Sequence, residues 1–263
     1  MKHILTIIRK EWSEVFKNRW VIATMTLVPL LFTALPLVML ATTGNTSPTG
    51  GAEMSGLPGD LSASCPGMNA EECIQVYVLN QFMLLFMIMP LMIPTTIAAY
   101  SIVGEKTTRS LEPLLATPIS TVELLAGKGL AAVIPGILIS YGAFGIFVLG
   151  SSLLGLSPAV MGYILSPTWL LGILALGPIL SVISAIFAIY ISSRVSDPRV
   201  AEQLSGMVVM PLLMVMFAVM AGKLVLNISF MLIAIIVCAI VAIGMLYLGT
   251  LIFDRENILT KWK

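Results

Sequence analysis

The chain has 263 residues, a mean hydropathy of +1.03 and only 10% charged residues. Soluble domains average about 25% charged residues, so a water-soluble globule is excluded and the bilayer is the expected solvent. A net charge of +1 and the absence of any Lys/Arg-rich block exclude a nucleic-acid partner.

Residues 1–19, MKHILTIIRKEWSEVFKNR, are charged but periodic. Ile4, Ile8, Trp12, Val15 and Phe16 fall on one arc of about 120° at helical spacing. This predicts an amphipathic helix lying in the membrane interface, with Trp12 at headgroup depth. A secretory signal peptide fits poorly, because the apolar run that follows is too long and no small-x-small cleavage site precedes the loop.

Six apolar runs follow, at 20–41, 76–103, 129–152, 168–192, 204–222 and 229–252. Each is long enough, at about 1.5 Å per residue, to cross a hydrocarbon core of about 30 Å. With the N-terminus inside, the inner segments hold Lys2, Arg9, Lys10, Lys17, Arg19, Lys106, Arg109, Lys128, Arg194, Arg199, Arg255, Lys261 and Lys263. Only Lys223 falls outside, so the bias of basic residues puts both termini in the cytoplasm.

The loop 42–75 is rich in Gly, Pro, Ser and Thr and carries Glu53, Asp60, Glu71 and Glu72 without a base. Asn45-Thr46-Ser47 in it fits a glycosylation sequon. Cys65 and Cys73 are placed to form a disulfide if the loop faces an oxidising compartment, and otherwise remain two thiols. Cys238 lies in an apolar run and reads as packing. The loop 153–167 is uncharged and suits a short interfacial helix.

Read with these boundaries, no span holds Asp, Glu, Lys, Arg or His, which argues against a proton- or sodium-coupled carrier. The only histidine is His3, so an intramembrane Ser–His pair is excluded, and no HExxH or paired carboxylates offer a metal site. No phosphate-binding GxxxxGK[ST] loop occurs. What remains is a membrane scaffold driven from elsewhere, or a passive pore.

Prolines interrupt most spans, at Pro29, Pro36, Pro90, Pro94, Pro135, Pro178 and Pro211. Each frees a backbone carbonyl that must find another donor inside a membrane. Met207, Met210 and Met214 share one face of the fifth span, and Met83 and Met87 form an i,i+4 pair on the second. They read as adaptable packing or as a pliable apolar path. Asn80 and Gln81 sit at the outer end of span two, as interface caps or as an exit lining.

Between spans two and three lies GEKTTRSLEPLLATPIS, residues 104–120. Glu105, Arg109 and Glu112 share a face about 60° wide on a helical wheel, opposite Leu111, Leu114 and Leu115. Pro113 and Pro118 limit the turns. The pattern is a short broken amphipathic helix, suited to resting on headgroups or to docking in a groove of another protein. A second inner loop, SSRVSDPRVAEQ, offers Arg194, Asp197 and Arg199 as a further contact or as plain topology anchors.

The run Glu105-Lys106, Leu111 to Leu115 and Thr117-Pro118, followed by ELLAGK at 123–128, resembles the signature of ABC-2 type transporter permeases. It covers about 25 residues closely; Thr107-Thr108-Arg109-Ser110 departs from the Glu-Arg-Gly-Thr type stretch of many members. The resemblance implies an all-α membrane protein with six transmembrane helices and an N-terminal amphipathic interfacial helix, the ABC-2 (type V exporter-like) permease fold, in a single domain over 1–263. It implies that Glu105, Lys106, Arg109, Leu111, Glu112, Leu114, Leu115 and Pro118 couple to a separate ATPase subunit. It further implies no catalysis and no bound cofactor or metal in this chain, with ATP and Mg held by two copies of the ATPase. A second permease copy, in a homodimer, and membrane lipid complete the expected partners. The alternative is a passive channel or membrane-assembly scaffold without an ATPase.

Overall fold

The computed structural model describes residues 2–17, 19–43, 69–107 and 121–252. Among these residues the chain is helical throughout, without a strand. The helices are α1 (Lys2–Val15), α2 (Arg19–Thr43), α3 (Ala70–Thr107) and α4 (Thr121–Leu153). Then come α5 (Pro158–Ile164), α6 (Pro167–Leu170), a π-helical turn (Leu171–Leu176) and α7 (Gly177–Arg194). The order closes with α8 (Pro198–Gly206), a 3-10 turn (Met207–Val209), α9 (Met210–Met220) and α10 (Ile228–Ile252). Six segments are long and apolar enough to cross a membrane: α2, α3, α4, the run α5–α7, the run α8–α9, and α10.

The second span, α3, is the centre of the bundle. It packs most extensively on α7, then on α4, and also touches α2, α8 and α9. Helices in lipid gain little from hydrophobicity when they meet, so close approach and hydrogen bonds must hold them. Small residues allow that approach. A Cβ at Gly136 would lie 2.6 Å from the Pro94 ring, and one at Gly127 would lie 2.9 Å from Ile7 of α1. At Gly172, in the π-helical turn, a Cβ would meet the methyl groups of Met83 and Met87 at 2.7 and 2.9 Å. Met83 and Met87 are therefore core packing. Met207, Met210 and Met214 are instead more than half exposed, on the fifth span.

Beside the methionines, Trp169 stacks on Phe147 and Phe144 and meets Phe86 edge-on, with ring centroids 5.9 to 6.1 Å apart. Offset and edge-to-face contacts of this kind add to the area the rings bury. They lock α6 against α3 and α4. The uncharged connection before it forms the short helix α5, capped by Ser157 and seated on the fully buried Val160 and Ile164.

The freed carbonyls find donors on neighbouring spans. Pro178 has no N–H for the Leu174 carbonyl, and the Tyr141 hydroxyl of α4 donates to it at 3.0 Å. Pro94 likewise frees the Pro90 carbonyl, which lies 3.4 Å from the Ser184 hydroxyl of α7. The proline bends thus double as places where one span is bonded to another.

Candidate functional site

At the end of the bundle that carries α1, three charged side chains meet out of reach of solvent, joined by the half-exposed Lys10. Lys128, on the first turns of α4, is 2% exposed; Glu105, near the end of α3, and Glu11, on α1, are each 5% exposed. The Lys128 ammonium donates to Glu11 Oε1 at 2.9 Å, to the Ser101 carbonyl at 2.9 Å and to Ser101 Oγ at 2.8 Å. That commits its three donors. Glu105 Oε2 lies 3.0 Å from the same nitrogen as a charge contact. The other Glu105 oxygen accepts from Lys10 Nζ at 2.7 Å, and Lys10 also lies 3.7 Å from Glu14.

Two buried carboxylates and two ammonium groups balance each other. The balance matters because an unpaired charge in a low-dielectric interior costs several kcal/mol, by order of magnitude. Burial alone would lower the pKa of Lys10. The hydrogen bond and charge of Glu105, with Glu14 and Glu11 nearby, outweigh that and leave it raised above its usual 10.5. The lysine therefore stays an ammonium throughout the physiological range.

The cluster fastens α1 to two spans at once, and Trp12 reinforces it. Pro135 leaves the Ala131 carbonyl of α4 without its helical donor, and the Trp12 indole N–H fills the gap at 2.9 Å. Half-buried, Trp12 thus bonds the backbone of a neighbouring span. Of the apolar arc of α1, Ile4, Ile8, Trp12 and Val15 are half-buried. Ile7 and Glu11 form the buried centre, while Leu5 and Phe16 remain exposed at 72% and 60%.

Of the residues singled out from sequence, Glu105 lies in this cluster. Lys106 is in the last turn of α3, and its side chain lies outside what is described, as do Arg109, Leu111, Glu112, Leu114, Leu115 and Pro118. Arg194 packs its guanidinium over the Tyr190 ring at 5.4 Å. Asp197 accepts from the Arg199 N–H at 2.8 Å and so caps α8, leaving the Arg199 side chain exposed. The helix α8 lies against α3 and α7, where Tyr100 of α3 bonds Glu202. Cys73 is disulfide-bonded and Cys238 is a free thiol; Cys65 lies outside the described residues. Asn80 accepts a 2.5 Å hydrogen bond from the Tyr163 hydroxyl. The Gln81 amide atoms are buried without a bonding partner among the described residues.

Sequence reasoning missed Lys10, Glu11, Ser101 and Lys128. It placed every ionisable group outside the spans. The helices run further than the apolar runs, so Glu105 and Lys128 are buried within α3 and α4. The available signal was Gly127 beside Lys128, where the missing side chain lets Ile7 of α1 come close.

Fold and site together define a multi-pass membrane protein with a central span whose last turns are clasped by ion pairs. A family model described as "ABC-2 family transporter protein" matches residues 5–254. The chain belongs to that family, and is a transport permease, a membrane component of an ABC transporter. It matches no curated protein.

Proposed function

We propose that this chain forms the translocation path of an ATP-driven exporter and takes its energy from a separate ATPase subunit. In this reading the end carrying α1 faces the cytoplasm, as the distribution of lysine and arginine requires. The segment 104–120 docks on the ATPase, with Leu111, Leu114 and Leu115 in its groove and Lys106, Arg109, Glu112 and Pro118 shaping the contact. Arg194, Asp197 and Arg199 provide a second contact. ATP and Mg are bound by the ATPase, two copies of which serve a homodimer of the permease in a lipid membrane. In this reading Cys65 pairs with Cys73.

The observation that carries the reading is the ion cluster. Rigid-body transmission requires that a docking segment be joined stiffly to what it moves. Glu105 stands three residues before the segment leaves the described part of α3, and its carboxylate is held by α1 and α4 at 2.7 and 3.0 Å. A push on 108–120 would therefore reach α1, α3 and α4 together. In this role Glu105 is the anchor of the docking segment.

The test is purification of the tagged chain in a gentle detergent from its native membrane, with mass analysis of what accompanies it. The reading expects a stoichiometric ATPase that is lost when Leu114 and Leu115 are both changed to Asp. No ATPase under any salt or detergent would overturn it and favour a passive channel.

A further inference from the structure

Ser192 has no role in the account so far. It lies in the last turns of α7, is fully buried, and touches α3. Its hydroxyl donates to the Ala99 carbonyl at 2.7 Å and accepts from the Val103 N–H at 3.1 Å. Ala99 and Val103 are four residues apart, and in an uninterrupted α-helix these two groups bond each other. A side chain entering that ladder is an established cause of bending.

One turn is doubly affected. The Ser101 carbonyl, the regular acceptor for the Glu105 N–H, also receives Lys128 at 2.9 Å. Between Ala99 and Glu105, two carbonyls of α3 thus have donors on two other spans. Further along α3 the Pro90 carbonyl is also met from α7, by Ser184, but there Pro94 has already removed the ladder donor; Met83, Met87 and the Pro94 ring add methyl and ring packing.

Opening a helix inside a membrane leaves backbone groups unbonded, at a cost of several kcal/mol for each group, by order of magnitude. At Ala99 and Val103 that cost is removed, because the Ser192 hydroxyl is already in place as partner to both. We propose that Ser192 is a positioning residue that sets a low-cost pivot in span two. The pivot lets the last turns, with Glu105 and the entry to 108–120, tilt against the membrane-embedded part. The consequence for transport rests on the coupling reading above; the pivot itself does not.

The test is backbone amide exchange on the purified full chain in lipid nanodiscs. Ser192→Ala removes the alternative partner, so Val103 must bond Ala99, and exchange at Val103 slows several-fold. Ser192→Thr keeps the hydroxyl and keeps wild-type exchange. If Ser192→Ala fails to fold, Ser192→Cys, with a weak donor of similar size, is read in the same way. Exchange that is unchanged or faster in the Ala or Cys variant would mean that the hydroxyl is a brace, and would overturn the proposal. With a co-purified ATPase present, ATP-dependent change in exchange over 99–107 is expected in the wild type and the Thr variant and absent in the Ala variant. A missing ATPase would sink the coupling reading alone, since the nucleotide-free exchange result stands without it.

Discussion

In the second span, 78% of the most apolar stretch is buried inside the chain; in the fifth and sixth spans the share is 11%. Both regions are apolar, so hydrophobicity does not explain the difference. Span two carries Thr95, Ser101 and Glu105, all buried, and has a close glycine neighbour in Gly136. α9, MPLLMVMFAVM, has no polar side chain at all. Within lipid, apolar surface alone gives helices little reason to associate. The comparison teaches that polar and small residues that meet a neighbour help decide which span becomes the axis, while the largely apolar α9 and α10 are left at the rim with their faces open.

The comparison can be broken most forcefully at Lys128. Lys128→Met leaves Glu11 and Glu105 buried with one fewer countercharge, and should destabilise the chain by about 3–5 kcal/mol, read from thermal unfolding in detergent. A loss below about 1 kcal/mol would mean that water reaches the cluster and that the end of span two is not sealed. Gly136→Ala is next. The Pro94 ring atoms at 2.6 and 2.9 Å cannot swing aside, and the overpacking should cost about 1–3 kcal/mol. Gly142→Ala, on the same helix with nothing within 4 Å, should cost nothing and is the control.

Trp12→Phe keeps the ring and removes the donor to the Ala131 carbonyl. It should cost about 1–3 kcal/mol, visible as earlier proteolytic release of α1 than of the spans. The smallest effect belongs to the rim. Met214, 71% exposed, should accept Leu with a change within about 0.5 kcal/mol in the isolated chain. A larger loss in the native membrane would show that a second copy covers this face, and would sharpen the contrast between axis and rim.

Much of the fold was legible because it follows from length and hydropathy. Runs of more than eighteen apolar residues have few alternatives to a spanning helix. The proline argument was also sound: three freed carbonyls, at Pro90, Leu174 and Ala131, each face a donor from another helix. Which donor fills which gap was not legible, because that depends on how helices far apart in sequence pack. Trp12 and Ala131 are 119 residues apart, and Lys10 and Glu105 are 95 apart. The same limit hid the ion cluster. Hydropathy ended span two at 103 and began span three at 129, and so placed Glu105 and Lys128 in water. The charges are tolerated inside the helices because they meet each other there.

The measurement that bears most directly on the central claim is a double-mutant cycle between Glu105→Gln and Lys128→Met, read by thermal unfolding of the full chain in nanodiscs. If the cluster acts as a unit, the two losses are non-additive, with a coupling of about 1–3 kcal/mol. Additive losses, with a coupling near zero, would contradict the claim that the inner end of span two is held by this ion pair.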